Sequence, residues 1–284
     1  MTTTATRPAP PVPQTRRPPT TKAVAKTVSF GKINTKAGRR IVIYGPGGIG
    51  KTTLAATAPG PVAFFDLDDS LPALRESLEG LKIVPVDCEN NISGIREALH
   101  AGGWDEINTI VIDSATKAEE LVAEWVLTNV PNEKKNRVEH IEDYGYGKGL
   151  THIYETFLTL LGDFDQHIRA DRNVILICHD CVAEMPNPTG DNWIRYEPRL
   201  QSPNSGKNSI RYRVREWADE VLFIGYDINV TKGKNEDHGR GESTGTRTLY
   251  PIETPMCMAK SRKLDMPISI DKYDLTLWHE LLGV

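Results

Sequence analysis

The sequence predicts an α/β fold, a mostly parallel central sheet flanked by helices with a C-terminal hairpin extension. Three observations carry that expectation. Apolar runs rich in Val, Ile, Leu and Phe recur without polar alternation, as in strands covered on both faces. Stretches with apolar residues at helical spacing lie between them. A glycine-rich G-x-x-x-x-G-K-T sequence joins the first apolar run to the first helical stretch.

The folded part is expected to begin near Val28. RRIVIYG (39–45) reads as the first strand, and 50–58 as a helix stopped by Pro59-Gly60. PVAFFDLDD (61–69), LKIVPVD (81–87), INTIVIDS (107–114), NVILICHD (173–180) and DEVLFIGYDI (219–228) read as further strands. In 114–128, Ala118, Leu121, Val122, Trp125 and Val126 share one helical face. In 146–170 a longer stripe runs from Leu150 to Ile168, and both stripes read as core. Three segments read as mobile loops: 131–147, the Pro/Asn/Gly/Ser-rich 180–209, and 231–247 (TKGKNEDHGRGESTGTR), the last between the strands of a hairpin.

The charge is uneven. Residues 1–40 hold nine of the 34 Lys+Arg and none of the 38 Asp+Glu, leaving 25 basic against 38 acidic residues beyond them. Residues 1–27, basic and rich in Pro and Thr, hold too little apolar surface to fold alone and read as a disordered tail. No apolar run approaches the ~20 residues a membrane helix needs, the first residues lack the apolar core of a secretory signal, and four cysteines in 284 residues do not form a disulfide scaffold. The expectation is a cytoplasmic chain with free thiols and no membrane partner.

GPGGIGKT (45–52) has the physics of a phosphate loop. Gly45, Gly47, Gly48 and Gly50 let backbone N–H groups approach an anion, with Pro46 and Ile49 completing the turn. Lys51 can reach the β- and γ-phosphates of ATP, the Thr52 hydroxyl can bind Mg2+, and Thr53 lies beside it. Asp113, at the tip of TIVIDS, is the second candidate Mg2+ holder. Ser114 follows it where many such proteins carry Glu, so the base for hydrolysis is expected on FFDLDD, which offers Asp66, Asp68 and Asp69.

These motifs resemble those of RecA-like P-loop ATPases. FFDLDDSL resembles the segment with the catalytic carboxylate, with Asp68 in place of Glu; TIVIDS resembles the Mg2+ strand; VILICHD resembles the strand ending in a γ-phosphate sensor, with His179 at that position. MAKSRKLDMP (258–267) resembles the element whose basic residues reach a neighbouring subunit's phosphates, which makes Lys260 and Arg262 candidates and implies a homo-oligomeric ring or filament. From Gly45 to about Ile270, with YGYGKG (144–149) and RYEP (195–198), the chain is most similar to phage-encoded RecA-like ATPases of the single-strand annealing and recombination group. The resemblance implies a RecA-like P-loop NTPase core over 28–284, DNA-dependent ATP hydrolysis slowed by the shorter Asp68, and as partners single-stranded DNA and a single-strand-binding protein.

In that group mobile loops bind single strands. RYEPRLQSPNSGKNSIRYRVR (195–215) follows His179 and interleaves Arg195, Arg199, Lys207, Arg211, Arg213 and Arg215 with Tyr196 and Tyr212 against one acid, Glu197. Cations that neutralise phosphates and rings that stack bases suit sequence-tolerant binding. PNEKKNRVEH (131–140) is a second, more mixed candidate. Alternatives stay open: a helicase-type motor, a small-molecule kinase with 231–247 as lid, and a nucleotide-binding regulator with little turnover. A partition ATPase is disfavoured by Pro46, where that class carries Lys. Within CHDC (178–181), Cys178 reads as packing and Cys181 as an ordinary thiol, because one C-x-x-C without further ligands does not make a closed zinc site.

Overall fold

The computed structural model describes residues 31, 37–204, 206–231, 240–270 and 276–282. The chain divides into a unit Met1–Thr35 and a unit Lys36–Val284, and every element below belongs to the second. The expected tail, 1–27, lies outside the described residues.

An eight-stranded sheet runs in the order β10-β9-β8-β1-β5-β4-β2-β3. Its strands are β1 (Arg40–Tyr44), β2 (Val62–Asp66), β3 (Ile83–Pro85), β4 (Thr109–Asp113), β5 (Asn173–Cys178), β8 (Glu220–Thr231), β9 (Arg240–Tyr250) and β10 (Ile268–Ser269). The six from β8 to β3 pair parallel; β9 and β10 add antiparallel to the β8 edge. Each central strand splits its apolar side chains between two cores, because successive residues face opposite ways. Val42 and Tyr44 of β1 face the core made with α2 (Ile92–His100), α3 (Ala115–Asn129), α4 (Lys148–Arg169) and α5 (Ile210–Trp217). Ile41 and Ile43 face the core made with α1 (Lys51–Ala56) and α6 (Thr276–Leu282), where Trp278 packs and its Nε1 donates to Thr57 Oγ1 at 2.9 Å. Burial on both faces explains the apolar runs without alternation. This is the expected α/β fold, a mostly parallel central sheet flanked by helices with a C-terminal hairpin extension. No helix among the described residues is long and apolar enough to cross a membrane.

Three expectations need correction. Residues 180–209 hold no long structureless loop: Asp180–Met185 (β6) and Trp193–Pro198 (β7) form an antiparallel ribbon of their own, with Asp180 opposite Pro198 and Met185 opposite Trp193. Helix α5 follows, its first turn capped by Ser209 Oγ accepting from Tyr212 N. Of 231–247, the part from Arg240 onward is strand β9, and 232–239 lies outside the described residues. Within 131–147, Ile141–Tyr144 form a 3₁₀ turn that packs Tyr144 beneath α3, its hydroxyl donating to the carbonyls of Val126 and Val130. Helix α2, absent from the expected elements, carries its own local signals: Asn91 caps it by accepting from Gly94 N at 2.8 Å, and Ile92, Ile95 and Leu99 form its buried stripe.

The buried Tyr44 ties the ribbon to the centre of the sheet. Its hydroxyl lies 2.6 Å from the Met258 carbonyl and 3.1 Å from that of Tyr196. Burial pushes its pKa well above the ordinary tyrosine value, so it stays a donor. The Tyr196 carbonyl also accepts from Met258 N, so removing the hydroxyl strands mainly the Met258 carbonyl. Tyr44→Phe is expected to cost about 1–2 kcal/mol, read as a lower urea midpoint at unchanged slope.

Candidate functional site

The phosphate loop leaves the C-terminal end of β1, pressed against β8. A Cβ on Gly45 would stand 2.2 Å from the Ile224 carbonyl, so no side chain fits there. Gly50, at φ 100°, turns the chain into α1 through the left-handed region. Between them, a Cβ on Gly47 or Gly48 would meet nothing within 4 Å, so that face of the loop is open to a ligand. The loop carbonyls face cations. Lys51 Nζ donates to Gly45 O at 2.9 Å and Pro46 O at 2.8 Å, and Arg247 Nη1 of β9 donates to Ile49 O at 3.0 Å.

Strands β5, β4 and β2 end beside the loop because they run parallel to β1 in register. Thr52 Oγ1 donates to Asp113 Oδ2 at 2.6 Å, and Ser70 Oγ approaches the same oxygen at 3.1 Å. Burial pushes the Asp113 carboxyl up, opposed by the bonds from Thr52 and Ser70. Burial likewise pulls the Lys51 ammonium down, opposed by Asp113 and Asp180. A buried carboxylate and a buried ammonium, each pushed toward neutrality, suit a bound cation and a bound polyphosphate that would restore both charges. The donor set therefore fits a magnesium nucleotide: Lys51 and the loop would hold the phosphates, and Thr52 and Asp113 the metal.

The three acids of FFDLDD separate by environment. Asp66 is spent on the following turn, accepting from Ser70 N at 2.7 Å and Leu71 N at 2.9 Å. Asp69 is exposed at φ 52°. Asp68 lies past the strand end, with its Oδ2 3.7 Å from His179 Nε2, an ion pair when the imidazole is protonated. The structure thus brings Lys51, Thr52, Asp113, Asp68 and His179 to one edge of the sheet. The backbone N of His179 donates to Thr116 Oγ1 at 3.1 Å on α3, which starts just after Asp113.

Sequence reasoning passes over Asp180, Ser70 and Arg247 at this site. Asp180 stands in plain view beside His179. Ser70 is placed only by a turn, and Arg247 only by the register of a hairpin that reads as a loop.

The structure does not bring Lys260 and Arg262 to the loop of their own chain. The Lys260 ammonium donates to the carbonyls of Arg215 and Ala218, capping the end of α5. Arg262 is exposed, and its backbone N donates to Glu220 Oε2 at 3.3 Å.

The expected DNA contacts divide sharply. Arg195 and Arg211 turn inward onto Glu197, which has no exposed surface. Arg195 meets Glu197 Oε1 at 2.8 Å and Glu253 at 2.6 Å; Arg211 meets Glu197 Oε2 at 2.6 Å and also binds the carbonyls of Pro198 and Leu200. Tyr196 stacks on Phe223 with ring centroids 5.1 Å apart. These three are corrected from DNA contacts to parts of the fold: a buried carboxylate needs its cations, and removing one partner strands the rest. Arg215 likewise pairs with Glu253. Arg199, Lys207 and Arg213 remain exposed, and Tyr212 is half-buried. In the second candidate stretch, Glu133 pairs with Lys148.

The model of the AAA domain family matches residues 37–263. No curated protein matches the chain. Among solved structures it is similar to a KaiC-like protein from the hyperthermophilic archaeon Pyrococcus horikoshii OT3, with 18% identity over 75% of this chain and 77% of that one and a TM-score of 0.36. It is also similar to the flagellar accessory protein FlaH from Methanocaldococcus jannaschii, with 14% identity over 75% and 77% and a TM-score of 0.32.

Glu119 of α3 joins the site to the segment after the ribbon by accepting from Gln201 N at 2.8 Å. Burial pushes its carboxyl up to about 7. The folded state then keeps a proton that the unfolded chain, at the ordinary carboxyl value, gives up at lower pH. This group's contribution to stability is complete below about pH 4 and is lost as the pH rises through 7. Melting of the wild type should fall relative to Glu119→Gln between pH 5 and 8, by no more than about 3 kcal/mol; parallel melting curves across that range would refute the linkage.

Proposed function

The chain belongs to the AAA domain family, and on that premise we propose that this RecA-like P-loop ATPase hydrolyses ATP with Asp68 as base and couples turnover to single-stranded DNA, in strand annealing or recombination. Magnesium would neutralise charge on the transferring phosphoryl group. Lys51 and the loop would orient the phosphates. Asp68 would take the proton of the attacking water, and His179, beside it, would register the change of charge.

One observation carries the DNA reading. Arg199 donates its backbone N to the His179 carbonyl at 2.8 Å and accepts from Thr116 Oγ1 at 3.2 Å, while its side chain is exposed. A strand phosphate held by the Arg199 side chain would therefore act on a residue whose main chain is hydrogen-bonded to that of the sensor. A second reading, a protein client, is favoured by Val182 and Ile194, which expose 58% and 67% of their surface on one face of the ribbon. In an oligomer, Arg262 would be the cation offered to a neighbouring copy.

Filter binding of a labelled single-stranded oligonucleotide with ATP and Mg2+ across a salt series tests the proposal. Binding is expected, and Arg199→Glu with Lys207→Glu and Arg213→Glu should flatten the salt slope by about 0.7 for each strand phosphate that is no longer neutralised. No binding at low salt would sink the DNA reading and leave the ATPase standing. In turnover assays Asp68→Asn should lower kcat by about 10²-fold or more with ATP affinity nearly unchanged; wild-type kcat in that variant would remove Asp68 as the base.

A further inference from the structure

The C-terminal hairpin touches the phosphate loop at both ends. At the first, the Ile224 carbonyl of β8 lies where a side chain on Gly45 would be. At the second, Arg247 Nη1 of β9 donates to the Ile49 carbonyl at 3.0 Å. The strand is held firmly at that point. Arg247 lies opposite Tyr226 of β8, and its carbonyl accepts from Ile270 N at 2.7 Å on the other side. The flanking Thr246 and Thr248 hydroxyls both donate to Asp227, at 2.6 and 2.9 Å. Period two sends the Arg247 side chain to the other face, toward the loop.

The planarity of the peptide bond gives this contact a consequence. The carbonyl of Ile49 and the N–H of Gly50 belong to one trans peptide unit and point in opposite directions. Fixing that carbonyl against Arg247 on the outside of the loop therefore fixes the direction of the Gly50 N–H. Gly50 is the residue at φ 100°, and glycine tolerates so many backbone angles that this peptide would otherwise be easy to turn over. Lys51 cannot serve as the brace. Its ammonium lies on the Gly45 and Pro46 carbonyls and has to leave them to reach a phosphate. Arg247, reaching in from a strand, can stay in place throughout.

We propose that Arg247 is a positioning residue for the nucleotide: by holding the Ile49 carbonyl it aims the Gly50 N–H into the phosphate loop, and so makes nucleotide affinity depend on the β8–β9 hairpin. Because coupling between two sites is reciprocal, bound nucleotide also steadies the hairpin. The inference rests on the loop binding a nucleotide phosphate, and is independent of the DNA reading.

The test is equilibrium binding of a fluorescent ATP analogue with Mg2+ to the full chain and to Lys51→Ala, Arg247→Ala and Arg247→Lys, each with its melting temperature and with ATP turnover. Wild-type binding that Lys51→Ala abolishes establishes the phosphate-loop reading by itself; no wild-type binding would remove that reading and the inference with it. Given wild-type binding, Arg247→Ala should weaken affinity about tenfold and raise KM for ATP in step. Its kcat at saturation should change less than threefold, its melting temperature should hold, and Arg247→Lys should recover part of the loss. Unchanged affinity in Arg247→Ala, or a loss confined to kcat, would overturn the inference. Hydrogen exchange on the wild type decides the matter if Arg247→Ala does not fold: nucleotide should slow exchange at Gly50 and across 247–249, and protection at the loop without protection in the hairpin would overturn it.

Discussion

Parallel pairing of β1, β5, β4 and β2 is the constraint on which the site depends. In a parallel sheet every strand ends on the same side, so whatever residue follows each strand arrives at one edge. Lys51 follows β1, His179 follows β5, Asp113 closes β4 and Asp68 follows β2. The residues are up to 128 positions apart in sequence (Lys51 to His179), and no local interaction could gather them. The strands stay aligned because both faces of the sheet are buried. Slipping one strand by a residue would exchange its two sets of side chains between two filled cores.

Around this edge the fold adds elements that make the site answer to distant parts of the chain. The ribbon is anchored through Tyr44 to the P-loop strand and through Arg199 to His179. The hairpin reaches the loop through Arg247. Thr116 and Glu119 on α3 hold the segment after the ribbon. Each connection is a hydrogen bond from an element outside the central four strands to the end of one of them, or to the loop or helix that follows it.

The basic segment after His179 shows how charge in a sequence misleads about surface. It carries many cations and one acid, which reads as a surface for phosphates. In the fold that one acid, Glu197, is fully buried, and a buried carboxylate must be paired. Arg195 and Arg211 are consumed from both sides in pairing it, and Glu253, more than fifty residues away, takes the free end of Arg195 together with Arg215. The surface charge on the segment is therefore smaller than its composition suggests: Arg199, Lys207 and Arg213 are exposed, and Arg213 itself lies 3.4 Å from Glu216.

The central sheet, the phosphate loop, Asp113 and the stripes of α3 and α4 were legible in the sequence because each is written locally, as an apolar run, a glycine spacing or a helical period. Helix α2 was missed, although the Asn91 cap and the Ile92, Ile95 and Leu99 stripe are local signals of the same kind. The ribbon was not legible, because its strands are short and half-exposed and lie in a segment rich in turn residues. Among Asp66, Asp68 and Asp69 the sequence offered three chemically similar carboxylates. The resemblance singled out Asp68, and the tertiary structure supplied the physical difference, by spending Asp66 on the next turn and setting Asp68 opposite His179. It likewise decided that Lys260 caps α5 and that Arg247 braces the loop. What the sequence determined by itself was the kind of core and the phosphate chemistry, since both follow from residues close together in the chain. The partners of each charge depended on contacts between residues far apart, which exist only once the sheet has assembled.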